Sequence, residues 1–181
     1  MILKRTMDEY ELVADQVTEA DQGDLVGFTC GDSTSGRLCT EWISGSGVSD
    51  SQKRKTKVWI YRNQADSVVG YSSAGFTKWR WPLPDGDYTT VLYIPMIGLD
   101  QKYHGQPPAK ELRYSHQIMN HLIYSCHQMN KERDKPVEWL TLKVLPENFV
   151  AIRLYSQFGF DLIENVEQNH GLRVMKHRLA E

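Results

Sequence analysis

Between Leu140 and Phe160 an asparagine, a small residue and a tyrosine fall on one stripe of a short helical pattern, with Asn148 and Tyr155 about 10 Å apart along its axis. An amide donates and accepts hydrogen bonds, and a phenol holds or releases a proton. A ligand arm lying on that stripe would meet the amide at one end and the phenol at the other. The elements that must position these groups are legible nearby. Val137, Trp139, Leu140, Leu142 and Val144 form a half-alternating apolar run that predicts a mostly buried strand. Pro146 stops the ladder because it has no amide hydrogen. Phe149, Ile152, Leu154, Tyr155 and Phe158 then recur at the three-four spacing of an amphipathic helix over 147–158, and Gly159 supplies a left-handed cap.

The whole string of strand, Asn148-Phe-Val-Ala151-Ile-Arg-Leu-Tyr155 and Gly159-Phe160 resembles the last motif of the GNAT superfamily, the acetyl-CoA-dependent N-acetyltransferases. Either polar residue alone would be read as ordinary cover on a helix face; the full string points to the family. The resemblance implies acetyl-CoA as co-substrate, Asn148 hydrogen-bonded to the CoA arm, and Tyr155 as the acid that protonates the departing CoA thiolate.

A pyrophosphate-bearing cofactor also needs several backbone amides aimed at one spot, commonly a glycine turn feeding a helix N-terminus. The segment Ile97-Gly98-Leu99-Asp-Gln-Lys102-Tyr-His104-Gly105-Gln106 lies between a strand pattern and a helix pattern, and is similar to the GNAT block Arg/Gln-x-x-Gly-x-Gly/Ala. Lys102 then takes the first position and Gly105 the glycine, with His104 and Gln106 beside them. Ile97, Gly98 and Leu99 form the strand edge, where the backbone of Ile97 and Leu99 would meet the pantetheine amides. The pattern departs at Pro107, followed by Pro108, which removes two amide donors. Two readings stay open: an insertion after which Ser115 and His116 open the helix, or prolines seated in its first turn, where they are tolerated. A degenerate loop that no longer binds acetyl-CoA would leave a binding module without catalysis.

With 181 residues, an apolar fraction of 40% and 21 basic against 23 acidic residues, the chain is expected to be one domain, 1–181, with a sizeable core. The formal charge of −2 gives no global argument for nucleic acid, although Lys53, Arg54 and Lys55 form a local basic patch. Apolar runs fall short of the roughly 18 residues of a membrane span, and the opening residues lack a leader-peptide core. The expectation is a cytoplasmic protein without a membrane partner. Cys30, Cys39 and Cys126 have neither disulfide-framework nor zinc spacing, so no metal is expected and the thiols read as ordinary. His116, His121 and His127 share no helix face and read as surface residues.

The remaining elements are a weak strand over 10–17, a short helix through Leu38 and Trp42 ending in a mobile Gly/Ser loop over 44–51, and an antiparallel pair over 58–61 and 68–79. A long strand over 89–100 is interrupted at Pro95, a helix spans 109–129, and a last strand spans 172–175. The expected class is α/β (α+β): a mixed, mostly antiparallel central sheet flanked by helices. The GNAT resemblance adds a splay between two central strands.

Acetyl transfer needs a neutral amine, a polarised thioester carbonyl and a proton for the thiolate. A backbone amide near Ile97 or Leu99 could polarise the carbonyl. Some relatives carry a glutamate base where this chain has Tyr93. Asp100 and Glu138 are the other polar candidates, and deprotonation through ordered water is the expectation. Phe28-Thr-Cys30-Gly31 with Leu38 and Trp42, and Val69-Gly70-Tyr71, resemble a GNAT branch that includes toxins acetylating aminoacyl-tRNA. Trp59, Trp79, Arg80 and Trp81 would either line an acceptor pocket or simply pack. The expected acceptor is a small-molecule, peptide or aminoacyl-tRNA amine, with a homodimer as one assembly.

Overall fold

The computed structural model describes residues 11–53, 56–81, 86–106, 112–163 and 171–179. Tyr10, Arg54, Lys55, the Trp81 side chain, Pro107, Pro108 and His170 lie outside the described residues.

The alternating apolar runs become strands: β1 (Val13–Gln16), β2 (Lys57–Arg62), β3 (Val68–Trp81), β4 (Asp87–Ile94), β5 (Ile97–Leu99), β6 (Trp139–Val144), β7 (Asp161–Leu162) and β8 (Arg173–Arg178). The helices are α1 (Thr34–Trp42), α2 (Val48–Gln52), α3 (Tyr114–Lys131) and α4 (Phe149–Gln157). The strands form one sheet in the order β1-β2-β3-β4-β6-β8-β7, with β5 on the flank of β3. Pairing is antiparallel except between β4 and β6. The mixed, mostly antiparallel architecture is the one expected.

The interruption at Pro95 shapes the middle of the sheet. Proline cannot donate to a ladder, and β4 stops at Ile94. Ser73 of β3 then holds the next residue by three hydrogen bonds. Its amide and hydroxyl donate to the Met96 carbonyl at 3.0 and 2.9 Å, and the Met96 amide donates to its hydroxyl at 3.0 Å. Beyond this bulge β5 continues along β3, from Ser72↔Ile97 to Gly70↔Leu99. The parallel ladder with β6 does not follow: it runs only from Leu92↔Leu140 to Ile94↔Leu142, while β6 goes on to Val144 against β8. Among the described residues β5 and β6 share no ladder, and the sheet is splayed between them.

Two cores flank this sheet. On one face the stripe Met119, Leu122, Ile123, Cys126 and Met129 of α3 packs against Ala74, Leu92, Ile94, Leu140 and Leu142, with α4 joining through Ala151, Ile152, Leu154 and Tyr155. On the other, Phe28, Cys30, Ile43, Val48, Val58, Ile60 and Tyr71 gather under α1 and α2, with Cys39 and Trp42 packed against them. β5 divides the two: Ile97 packs into the first core, and Gly98 faces Tyr71 and Cys30 of the second.

Two expectations are corrected. The Gly/Ser run 44–51 is not a loop. A wide π-type turn over Ile43–Gly47 leads straight into α2, because Ile43 and Val48 anchor both ends in the core and the Ser44 hydroxyl donates back to the Thr40 carbonyl at 2.8 Å. His116, His121 and His127 are partly buried rather than surface residues. His121 Nδ1 is 2.9 Å from the Tyr61 hydroxyl, which in turn lies 2.7 Å from the Ser72 hydroxyl, and burial depresses the imidazole pKa. Trp59 meets that imidazole edge to face at 5.8 Å, on the α3 side of the sheet.

Gly98 has no room for a side chain: a Cβ there would stand 2.7 Å from Cys30 Sγ and press on the Tyr71 ring. Gly98→Ala is therefore expected to destabilise the fold by about 1–3 kcal/mol, the usual cost of overpacking, read as a lowered urea midpoint with an unchanged slope.

Candidate functional site

The splay leaves a backbone edge without a strand partner. Antiparallel pairing alternates, so residues whose amide and carbonyl face the neighbouring strand are separated by residues whose groups face away. Met96 accepts from Ser73 and Asp100 donates to Val69 at 2.8 Å, both toward β3. Ile97 and Leu99 therefore turn their amides and carbonyls away from β3, toward the opening. This is the edge that the sequence assigned to a pantetheine arm. Two side chains already touch it: the Cys39 thiol lies 3.5 Å from the Ile97 carbonyl oxygen, and His104 Nε2 donates to the Leu99 carbonyl at 3.0 Å.

α4 forms the adjoining wall. Asn148 is its N-cap, accepting from the Ala151 amide at 3.2 Å through Oδ1. Its Nδ2 donates to the Ser35 hydroxyl at 3.2 Å, which ties the start of α4 to the first turn of α1. An NH2 group carries two hydrogens, and Ser35 takes one. About two turns further along, Tyr155 is partly buried against the α3-side core, its ring 6.1 Å from that of Phe160. Burial, assisted by the nearby Cys39 thiol, pushes its phenol well above the ordinary tyrosine range, so the hydroxyl keeps its proton at neutral pH. Phe149, which the periodicity placed on the buried stripe, is 71% exposed beside the cap.

The loop after β5 makes a short 3-10 turn over Gln101–Tyr103, capped by the Asp100 carboxylate, which accepts from the Lys102 amide at 3.1 Å. The Lys102 ammonium is exposed, 3.5 Å from Asp100 Oδ2 and 5.0 Å from the centre of the Tyr103 ring. Gly105 has φ +69°, a left-handed conformation that glycine adopts without strain, and Gln106 Nε2 donates back to the Lys102 carbonyl. α3 then begins at Tyr114 with Arg113 in the cap position and no side chain closing it. Both readings of the Pro107-Pro108 stretch lie outside the described residues.

Neither carboxylate named from the sequence stands free as a base. Asp100 is buried as a turn cap, and Glu138 pairs with Arg178 at 3.2 Å. Tyr93 sits at 5.1 Å from Trp79, and the Lys143 ammonium lies 5.1 Å above the Trp79 ring. Burial lowers the Lys143 pKa.

The sequence reading missed one feature of the opening, the place of Cys39 on α1 opposite β5, where its thiol donates to the Ile97 carbonyl at 3.5 Å. Tyr71, stacked on Trp42 at 5.7 Å and edge-on to Phe28 at 5.8 Å, donates its hydroxyl to the Cys39 carbonyl at 2.6 Å. No periodicity in the sequence brings a residue on a helix opposite one in an extended segment. The only cue was the Phe28-to-Trp42 motif as a whole.

Among the described residues no group of three or more His, Cys, Asp or Glu could hold a metal, and no helix is long and apolar enough to cross a membrane. No protein-family model and no curated protein sequence matches the chain. Solved structures do. The chain shares the fold of the AtaT toxin and of KacT. AtaTR bound with acetyl-CoA superposes with a TM-score of 0.69 at 17% identity, covering 96% of this chain and 95% of that one. A Tyr-to-Phe mutant of KacT gives 0.69 at 14% identity, over 94% and 96% of the two chains. AtaT complexed with acetyl-methionyl-tRNAfMet gives 0.67 at 16% identity, over 92% and 94%.

Asn148→Ala removes the α4 cap and the tie to Ser35 together, and is expected to cost about 1 kcal/mol of stability and to loosen the start of α4. Amide hydrogen exchange should show faster exchange at Ala151 and its neighbours, with α3 unaffected.

Proposed function

We propose that this chain is an N-acetyltransferase that takes its acetyl group from acetyl-CoA and delivers it to the α-amine of an aminoacyl-tRNA. The observation that carries the reading is the splayed opening, whose floor is the outward backbone of Ile97 and Leu99 and whose wall is the helix bearing Asn148 and Tyr155. The likeness to acetyl-CoA-bound AtaTR supports it.

In this reading the pantetheine arm extends the sheet, exchanging hydrogen bonds with Ile97 and Leu99 as an added strand would. His104 and Cys39 give up the two carbonyls as the arm enters, and the second N–H of Asn148 meets the arm from the α4 side. Lys102, the Gly105 turn with His104 and Gln106, and the uncapped amides at the start of α3 receive the pyrophosphate. The Ile97 amide polarises the thioester carbonyl. The acceptor amine loses its proton through water and attacks the carbonyl carbon.

Tyr155 serves the leaving thiolate. Full proton transfer from a phenol to a thiol-range base is uphill by at least about 2 kcal/mol from the ordinary pKa difference alone. The phenol therefore acts first as a fixed hydrogen-bond donor to the developing sulfur charge, and transfers its proton as the carbon–sulfur bond finishes breaking.

For the acceptor, the Lys143 ammonium covers the Trp79 ring, which lies next to Tyr93 on the same face of the sheet. Aromatic faces interleaved with cations suit a single-stranded nucleic-acid end, and AtaT has been solved with acetyl-methionyl-tRNAfMet. Small or peptide amines are the second reading, and a module without catalysis is the third.

Labelled acetyl-CoA offered with aminoacyl-tRNA, uncharged tRNA and free amino acids decides among them. Label is expected on the aminoacyl-tRNA, and Tyr155→Phe should lower turnover on the order of a hundredfold while calorimetric acetyl-CoA affinity stays unchanged. Label on free amines alone would remove the tRNA acceptor. No binding of acetyl-CoA at millimolar concentration would leave the non-catalytic module.

A further inference from the structure

We propose that Lys143 is an acetyl acceptor within the chain, so that the protein bound to acetyl-CoA with no other amine present becomes N-acetylated at this lysine. The inference rests on the acetyl-CoA reading of the opening and goes beyond it by placing an amine of the protein itself at the acceptor position.

The strand register puts Lys143 on the rim. The ladder between β4 and β6 ends at Ile94↔Leu142, and Lys143 is the next residue of β6, still paired on its other side with Val174 of β8. It is therefore the first residue of the β6 lip, across the opening from the β5 edge that begins at Ile97. Its face follows from the alternation of side chains along a strand. Leu142 and Val144 belong to the core under α3 and α4, so Lys143 points to the opposite face of the sheet. The Trp79 ring lies there beside Tyr93, with the Lys143 ammonium 5.1 Å from its centre. Tyr155 packs on the α4 side. An acetyl thioester lying along β5 would thus have the proton donor for its sulfur on one face and a lysine on the other.

The surroundings of Lys143 suit a nucleophile. The exposed Lys102 ammonium sits 3.5 Å from a carboxylate oxygen of Asp100, which holds its proton in place. Among the described residues Lys143 has no such partner. It is half-buried against an aromatic ring, and that burial lowers its pKa. A larger share of it is therefore the neutral amine that attacks a thioester. The stem is a flexible chain of four carbons, so the amine can leave the Trp79 ring and turn toward the lip while the backbone stays in its ladder with β8.

The step balances without a further reactant. Lys143 loses one proton to water, its nitrogen bonds to the acetyl carbonyl carbon, the carbon–sulfur bond to CoA breaks, and the electron pair leaves on the CoA sulfur. The nitrogen gives up its second proton to solvent, and the sulfur takes one from Tyr155, which solvent then reprotonates. An amide replaces a thioester, so the step runs downhill and free CoA does not reverse it. The acetylated side chain carries no charge, and the modified protein loses the cation above Trp79.

Wild-type protein incubated with acetyl-CoA alone is followed by intact and peptide mass spectrometry. One acetyl group is expected on Lys143, formed on the order of a hundredfold faster than on exposed Lys53, Lys57 and Lys131, at a rate independent of protein concentration. Tyr155→Phe should slow this acetylation on the order of a hundredfold, and Lys143→Arg should remove the shift in intact mass, with circular dichroism checking that each variant is folded. The wild-type peptide map gives an answer even where a variant fails to fold. Calorimetry with acetyl-CoA and transfer to aminoacyl-tRNA are run on the same preparation. Binding and amine transfer without acetyl-Lys143, acetyl groups spread evenly over the exposed lysines, or a rate that rises with protein concentration overturn this inference and leave the proposed function standing. Acetyl-Lys143 without transfer to aminoacyl-tRNA supports the inference and removes the tRNA acceptor. Absence of acetyl-CoA binding removes both.

Discussion

A parallel ladder between β4 and β6 that ends at Ile94 is the constraint from which the rest of the opening follows. Two neighbouring parallel strands would ordinarily stay hydrogen-bonded along their shared length, because each unpaired buried amide or carbonyl costs free energy. Here Pro95 removes one donor, and Ser73 commits the Met96 amide and carbonyl to β3. β5 then follows β3 while β6 follows β8, and the distance between them is left to something other than strand pairing. Gly98 and Gly70 make this affordable on the β3 side, where the absence of side chains lets the two backbones and Tyr71 close up.

The side chains around the opening belong to both faces of the sheet. α4 packs with α3 on one face, α1 and α2 pack on the other, and β5 is the divider. Cys39 reaches Ile97 from one side while Tyr155 stands on the other. A thioester held at this point is thus accessible to one element from each core. In the proposed reaction the acceptor would approach past Trp79, Tyr93 and Lys143, and the CoA nucleotide past Lys102 and the start of α3.

Much of this was legible in the residues. The strand, Pro146, the Asn148-to-Tyr155 helix and the Gly159 cap each carried a local signal, and Gly159 does take a positive φ of 76°. Pro95 marked the break between β4 and β5 for the same reason that proline interrupts any ladder. What sequence spacing could not supply was contact between distant segments. The bond from Asn148 to Ser35, the contact of Cys39 with the Ile97 carbonyl, and the burial of His121 by Tyr61 and Trp59 depend on the relative placement of elements. The Gly/Ser run over 44–51 misled because its composition is that of a loop. Ile43 and Val48 outweigh that preference by burying into the core, as tertiary packing commonly overrides propensity.

The hydrogen bond from Asn148 to Ser35 joins helices that lie on opposite faces of the sheet, across the end of the separated strands. It acts as a latch between two lips, and a single such bond contributes only about 1 kcal/mol net. Breaking this bond alone is therefore a small cost beside the packing that holds either helix to its own core. Ligand residence would then be governed by how many contacts the guest itself makes along the strand edge, rather than by any slow opening of the protein.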